Sequence, residues 1–197
     1  FRGNANANIL NGLAGNNTAL YTFAALTAGV VANLQAGEVE KTTTNGTVKD
    51  TLINIQNLVG SSYDDYFVTK LSESNIIDGG THGIIGDTID YSTNGATKII
   101  LDLDISHTTD IYGIGVINDG TYASVAVENG ATDKITKIEN IKGSGGADTI
   151  YGNAENNTIY GMGGNDTIYG VEGKNYIDGG AGNDLIYSGT GADRLFG

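Results

Sequence analysis

The sequence predicts an all-β, elongated solenoid of short strands and glycine-rich turns, and three observations predict it. The first is composition: 197 residues include 31 Gly and no Pro, about twice the ordinary Gly share of roughly 7% and none of the usual roughly 5% Pro. That balance suits neither a helical domain nor a Pro-rich linker. The second is a period. From Gly143 the chain divides without slippage into six nine-residue units, GSGGADTIY, GNAENNTIY, GMGGNDTIY, GVEGKNYID, GGAGNDLIY and SGTGADRLF. The third is what the period carries. The eighth slot holds one aliphatic each time, Ile150, Ile159, Ile168, Ile177, Ile186 and Leu195, and the sixth holds Asp148, Asn157, Asp166, Asn175, Asp184 and Asp193. Each interior Gly costs a helix roughly 1 kcal/mol, so a unit reads as a turn followed by a short strand, and helix content should be very low.

The rest of the chain uses the same grammar in diluted form. GNANANILN (Gly3 to Asn11) is a nonapeptide, and GLAGNN from Gly12 to Asn17 opens another. Asp65-Tyr66-Phe67, Asn75-Ile76-Ile77 and Asp87-Thr88-Ile89 repeat the ending, the last after a turn lengthened to GGTHGIIGD. A longer period joins the two halves. DTLINIQNLVGS from Asp50 and DKITKIENIKGS from Asp133 correspond position by position at an offset of 83. Before each lies a β-rich stretch, Tyr21 to Leu34 and Ile89 to Leu103, where Ile99, Leu101 and Leu103 alternate as in a half-buried strand. The expected organisation is one continuous solenoid in three parts. Residues 1–59 hold degenerate turns and a β insert, residues 60–142 repeat that arrangement, and residues 143–197 form the regular roll. The inserts read equally as coils of the solenoid or as small lobes bulging from it.

Charge and composition exclude several functions. With 23 acidic against 10 basic residues the net charge is -13, which argues against nucleic acid and anionic membrane as partners and for cations. No cysteine is present, so disulfides, thiolate zinc sites and Cys nucleophiles are ruled out. The weakly polar run Ala24 to Leu34 is too short and too interrupted to span a bilayer, so no membrane insertion is expected. The opening Phe1-Arg2-Gly3, the single Met162 and a new repeat beginning at Gly197 read as a fragment of a longer protein.

The tail from Gly143 resembles the RTX (repeats-in-toxin) calcium-binding family, whose signature is G-G-x-G-x-D-x-U-x. The resemblance implies a parallel β-roll in which two nonapeptides make one 18-residue coil, with several Ca²⁺ ions in the turns. Rungs of a sheet lie roughly 4.7 to 4.9 Å apart and Ca²⁺ takes oxygens at roughly 2.3 to 2.6 Å, so an ion between two stacked turns reaches both. Without metal, carboxylates about 5 Å apart repel by roughly 0.8 kcal/mol even at the dielectric of water. Folding of the roll on Ca²⁺ binding is therefore expected. The implied metal residues are Gly146, Asp148, Gly164, Asp166, Gly182, Asp184 and Asp193, with Asn157 and Asn175, and, in the degenerate turns, Asp65, Asn75 and Asp87. Residues 18 apart share one side of a coil, so a well-filled ion row is expected along Asp148 and a sparse one along Asn157, because affinity falls with ligand charge.

Tyr151, Tyr160, Tyr169 and Tyr187 follow the aliphatic slot and should point outward and stack. Thr149, Thr158 and Thr167 form a row that breaks at Tyr176. His82 and His107 are expected to be solvent-exposed. Asp102, Asp104, Asp110 and Asp119 read as surface charge, with an additional calcium site or a carboxylate pair for hydrolysis as the alternatives. No H-E-x-x-H, G-x-S-x-G, Walker or dinucleotide motif occurs, so no enzyme is expected. The family resemblance implies a secreted bacterial protein, exported unfolded by type I secretion and folding outside the cell. The leading expectation is a structural module of a surface-layer subunit or large adhesin, in contact with copies of itself in a lattice or filament. The alternatives are the C-terminal module of a secreted hydrolase or toxin, and a carbohydrate- or ice-binding module.

Overall fold

The computed structural model describes residues 1–109, 118–128 and 131–197, and among these there is no helix. Two short strands, β1 (Ile9–Asn11) and β2 (Thr18–Leu20), precede a meander of β3 (Leu26–Asn33), β4 (Glu38–Thr43) and β5 (Gly46–Ile53). Four single rungs follow, β6 (Asn57–Val59), β7 (Tyr66–Val68), β8 (Ile76–Asp78) and β9 (Thr88–Asp90). A second meander comprises β10 (Ile99–Asp102), β11 (Ala123–Val127) and β12 (Thr132–Thr136). The last rungs are β13 (Asn140–Lys142), β14 (Thr149–Tyr151), β15 (Thr158–Tyr160), β16 (Thr167–Tyr169), β17 (Tyr176–Asp178), β18 (Leu185–Tyr187) and β19 (Arg194–Phe196).

Successive rungs alternate between two sheets. One runs β1-β5-β4-β3-β7-β9-β13-β15-β17-β19 and the other β18-β16-β14-β10-β11-β12-β8-β6-β2. In the tail, parallel partners are 18 residues apart: Thr149 faces Thr167, Ile150 faces Ile168 and Tyr151 faces Tyr169. Two nonapeptides therefore make one coil, as the β-roll reading requires. A three-residue strand points its middle side chain to one face, and that residue is the eighth-slot aliphatic of the unit. Ile150, Ile159, Ile168 and Ile177 are fully buried between the sheets, whereas Leu195, in the outermost strand, is 45% exposed.

Both inserts are antiparallel meanders woven into a sheet. β5 lies parallel on β1 and β3 parallel on β7, with β4 antiparallel to both. In the second, β12 lies parallel on β8 and β10 on β14, with β11 between them. The 83-residue period is structural as well as sequential. Asn54 and its counterpart Lys137 both adopt left-handed backbone, φ 53° and 54°. The counterparts Asp50 and Asp133 each accept a tyrosine hydroxyl, from Tyr21 and Tyr91, although those two tyrosines do not share the 83-residue spacing. The copies nevertheless occupy opposite sheets. From β7 to β14 the chain makes five sheet-to-sheet crossings, and an odd number exchanges the faces.

Two strand boundaries differ from the sequence reading. The first long strand begins at Leu26, with Tyr21 buried after the end of β2. The stretch Ile89 to Leu103 is two strands, because Asn94 caps a turn through the Ala96 N–H and Gly95 takes φ +89°. The first meander also buries an ion pair that its alternation conceals. Lys41 Nζ donates to both carboxylate oxygens of Asp50 at 2.5 Å, with neither side chain exposed. Removing one partner of a buried pair strands the other charge. Lys41→Ala is expected to destabilise the chain by about 3–5 kcal/mol in urea denaturation, and a loss below about 1 kcal/mol would match only a surface pair.

Candidate metal centres in the stacked turns

Most turns place their sixth-slot side chain against the neighbouring coil as part of a ladder; Asn157 and Asn75 instead accept the Asn153 and Lys70 N–H of their own turns and donate Nδ2 to Glu139 O and Gln56 O. In the Asp148 row, Oδ1 of Asp148 accepts the Ile99 N–H at 2.7 Å, Oδ1 of Asp166 the Asp148 N–H at 2.8 Å, and Oδ1 of Asp184 the Asp166 N–H at 3.0 Å. In the opposite row, Oδ1 of Asn175 accepts from Asn157 at 2.9 Å and Oδ1 of Asp193 from Asn175 at 2.8 Å. The degenerate turns do the same, Asp65 accepting from Val30, Asp87 from Asp65, and Asp133 from Asn75. The pattern reading missed several members. Asp50, Gln56 and Glu139 accept from Asn8, Asn17 and Asp87 in the same way. Gln56 and Glu139 stand 83 residues apart, so the long period carried that signal although the residue types differ from the nonapeptide rule.

The glycines make this stacking sterically possible. A Cβ on Gly143, Gly161 or Gly179 would lie 2.5, 2.3 or 2.4 Å from Oδ2 of Asp148, Asp166 or Asp184. The fourth-slot glycines form their own column. A Cβ on Gly146 would lie 1.8 Å from Thr97 O, on Gly164 2.4 Å from Gly146 C, and on Gly182 1.6 Å from Gly164 O. Gly164 and Gly182 also take φ +106° and +145°, which side chains disfavour. The turns thus rest backbone on backbone, and their carbonyls gather beside the sixth-slot carboxylates.

The carboxylates differ in how they are satisfied. Ser144 N–H donates to Asp148 Oδ2 at 2.6 Å and Ser144 Oγ to its Oδ1 at 2.7 Å; Ser61 grips Asp65 identically, at 2.5 and 2.7 Å. By contrast, Oδ2 of Asp87, Asp166 and Asp184 is buried with no hydrogen-bond donor. Burial pushes Asp166 up to about 7, opposed by the Asp148 N–H and reinforced by the charges of Asp148 and Asp184. Burial likewise pushes Asp87 up to about 8, with the Asp65 and Glu139 charges adding to it. Buried polar atoms are normally paired, and a hard cation at these oxygens would neutralise the charge while satisfying the lone pairs. Among the described residues no three Asp, Glu or His side chains converge, so an ion here would draw on main-chain carbonyls as well. Oxygen donors from carboxylate and carbonyl groups are the set calcium takes.

Four copies of one family pattern are recognised in the chain, over residues 1–19, 142–175 and 169–197. They are RTX calcium-binding nonapeptide repeats. A search of curated proteins yields no match. The RTX copies cover the first two rungs and the regular tail, so Asp65, Asn75 and Asp87 lie outside the matched residues, although they join the same side-chain ladder. The all-β roll therefore includes, over residues 1–19 and 142–197, segments that match the RTX calcium-binding nonapeptide repeat.

Other candidate residues fall elsewhere. Asp102 is buried rather than on the surface, because strand β10 lies inside its sheet; its Oδ2 meets His107 Nδ1 at 2.8 Å. Burial raises the Asp102 carboxyl against the lowering effect of that bond. His107 is half-buried and also approaches Asp104 at 3.3 Å, while Asp119 pairs with Lys134 at 2.7 Å. Asp110 lies outside the described residues. His82 is exposed, as expected. Tyr151, Tyr169 and Tyr187 stack face to face, with centroids 4.2 and 4.6 Å apart, so the ring faces a sugar would use are largely spent on each other. Tyr151, one rung from the second meander, is buried rather than outward, and Tyr160 tilts against Tyr176.

A matched pair of substitutions tests the packing of these turns. Gly161→Ala drives a methyl into Asp166 Oδ2 and Gly179 O and is expected to cost about 1–3 kcal/mol in calcium. Gly145→Ala meets nothing within 4 Å and is expected to change stability by less than about 0.5 kcal/mol. Equal effects in thermal melts would contradict the stacked geometry.

Proposed function

We propose that this chain is a calcium-binding structural module of a secreted bacterial surface protein, a surface-layer subunit or a large adhesin, that folds on Ca²⁺ binding outside the cell. The observation that carries the reading is the set of buried carboxylate oxygens without donors, two of them in the RTX turns. Ions are held by the sixth-slot carboxylates of Asp166 and Asp184, with carbonyls of the glycine column that includes Gly146, Gly164 and Gly182. Asp148 and Asp193 close the two rows of the tail, and Asp65, Asn75 and Asp87 extend the ladder into the degenerate turns. The three parts, 1–59, 60–142 and 143–197, work as one continuous solenoid, a rod that presents its flanks to copies of itself. Passage through a type I exporter suits such a chain. A low-calcium interior leaves the acidic turns uncompensated and the thin core short of what backbone entropy demands, whereas external calcium adds its binding free energy to folding.

Circular dichroism of the chain tests the reading. In EDTA the sheet signal is expected to fall, and excess Ca²⁺ is expected to restore it, with Mg²⁺ at equal concentration less effective because it demands a tighter octahedral shell. Identical spectra in calcium and EDTA would contradict it. Calcium-dependent formation of ordered arrays in electron micrographs would support the surface-layer role, and a strictly monomeric calcium-loaded chain would weigh against it.

A further inference from the structure

We infer that the sixth-slot side chain decides, rung by rung, whether a turn takes calcium or is closed by a donor of the chain's own; this rests on the calcium reading above. At Asn175 the carboxamide does two jobs. Its Oδ1 accepts the Asn157 N–H, as an Asp would, while its Nδ2 donates to Gly170 O at 3.0 Å and Glu172 O at 2.7 Å. Those are carbonyls of its own turn, in the first and third slots. The amide therefore occupies the position where Oδ2 of Asp166 or Asp184 stands without a donor. Asn17, at the other end of the chain, also places its amide on carbonyls, Nδ2 donating to Gly15 O of its own turn and to Asn54 O of another segment, both at 3.0 Å.

A third solution uses charge. Asp50 occupies the ladder position above Asn8, and there the buried Lys41 ammonium binds both carboxylate oxygens. The cation is covalently part of the chain. Carboxylate closed by lysine, carboxamide closing itself, and carboxylate with a donorless oxygen are three answers to one electrostatic problem. Only the last asks for a divalent ion. Metal demand is thus concentrated at Asp166, Asp184 and Asp87, and the corners closed by Lys41 at Asp50 and by the carboxamides of Asn17 and Asn175 hold their turns without it.

The test exchanges one atom group in each direction in the full chain. Asn175→Asp removes two donors and leaves an oxygen facing Gly170 O and Glu172 O. It is expected to bind more Ca²⁺ per chain than wild type by isothermal titration and to melt at lower temperature in EDTA, with the loss recovered in calcium. Asp184→Asn keeps the acceptor for the Asp166 N–H and is expected to bind fewer ions and to melt higher than wild type in EDTA. If wild type binds Ca²⁺ and both variants match its stoichiometry and its EDTA melting temperature, the inference is overturned while the calcium reading stands. An Asn175→Asp chain that fails to fold even in excess calcium also counts against it, and Asp184→Asn then gives the decision independently. If wild type binds no Ca²⁺, the calcium reading itself fails and the inference falls with it.

Discussion

The structure depends on one contact, the hydrogen bond from a backbone N–H to the side-chain oxygen at the next rung's corner. Where the chain leaves a strand and turns, its amides no longer meet the carbonyls of a neighbouring strand, and buried amides must find acceptors. The sixth-slot oxygen supplies one at each coil, from Ile99 through Asp148 and Asp166 to Asp184. Because the acceptor is a side chain held at a fixed distance from its own strand, it also sets the register of the next coil. The glycines of the first and fourth slots follow from this. They keep the space that the oxygen and the stacked carbonyls fill.

The same contact creates the molecule's electrostatic difficulty. An aspartate brought to this corner carries a second oxygen into a confined place, and desolvation disfavours its charge. The fold answers differently along its length, with serine donors at Asp65 and Asp148, tyrosine hydroxyls at Asp50 and Asp133, and lysine at Asp50 as well. Lys41 comes from β4 of the first meander, whereas Tyr21 and Tyr91 directly follow the three-residue strands β2 and β9. In the regular tail the corner of Asp166 and that of Asp184 meet no such donor.

Much of this was legible in the sequence because the signals were local and periodic. The aliphatic slot, the coil of two units and the 83-residue duplication were all written in spacing alone, and the strands appear at those places. Three things were not legible. The meanders' pairing depends on which distant strand each edge meets, and alternation in Ile99, Leu101 and Leu103 cannot specify that. The Lys41–Asp50 pair is the second, because nothing in the stretch around Lys41 marks Asp50 as its partner. Asp102 looked exposed for the same reason, since its burial comes from β10 lying within a sheet and its partner His107 from the connector beyond. The role of Asn at the corner was half visible: the sequence showed that charge is missing there, but not that the amide's donors reach back to the turn carbonyls.

The exchange of sheets between the two 83-residue copies has a geometric consequence. The two meanders lie in opposite sheets of the roll, so a feature borne on one has its counterpart in the other sheet. A single sequence pattern thereby marks both faces of the roll.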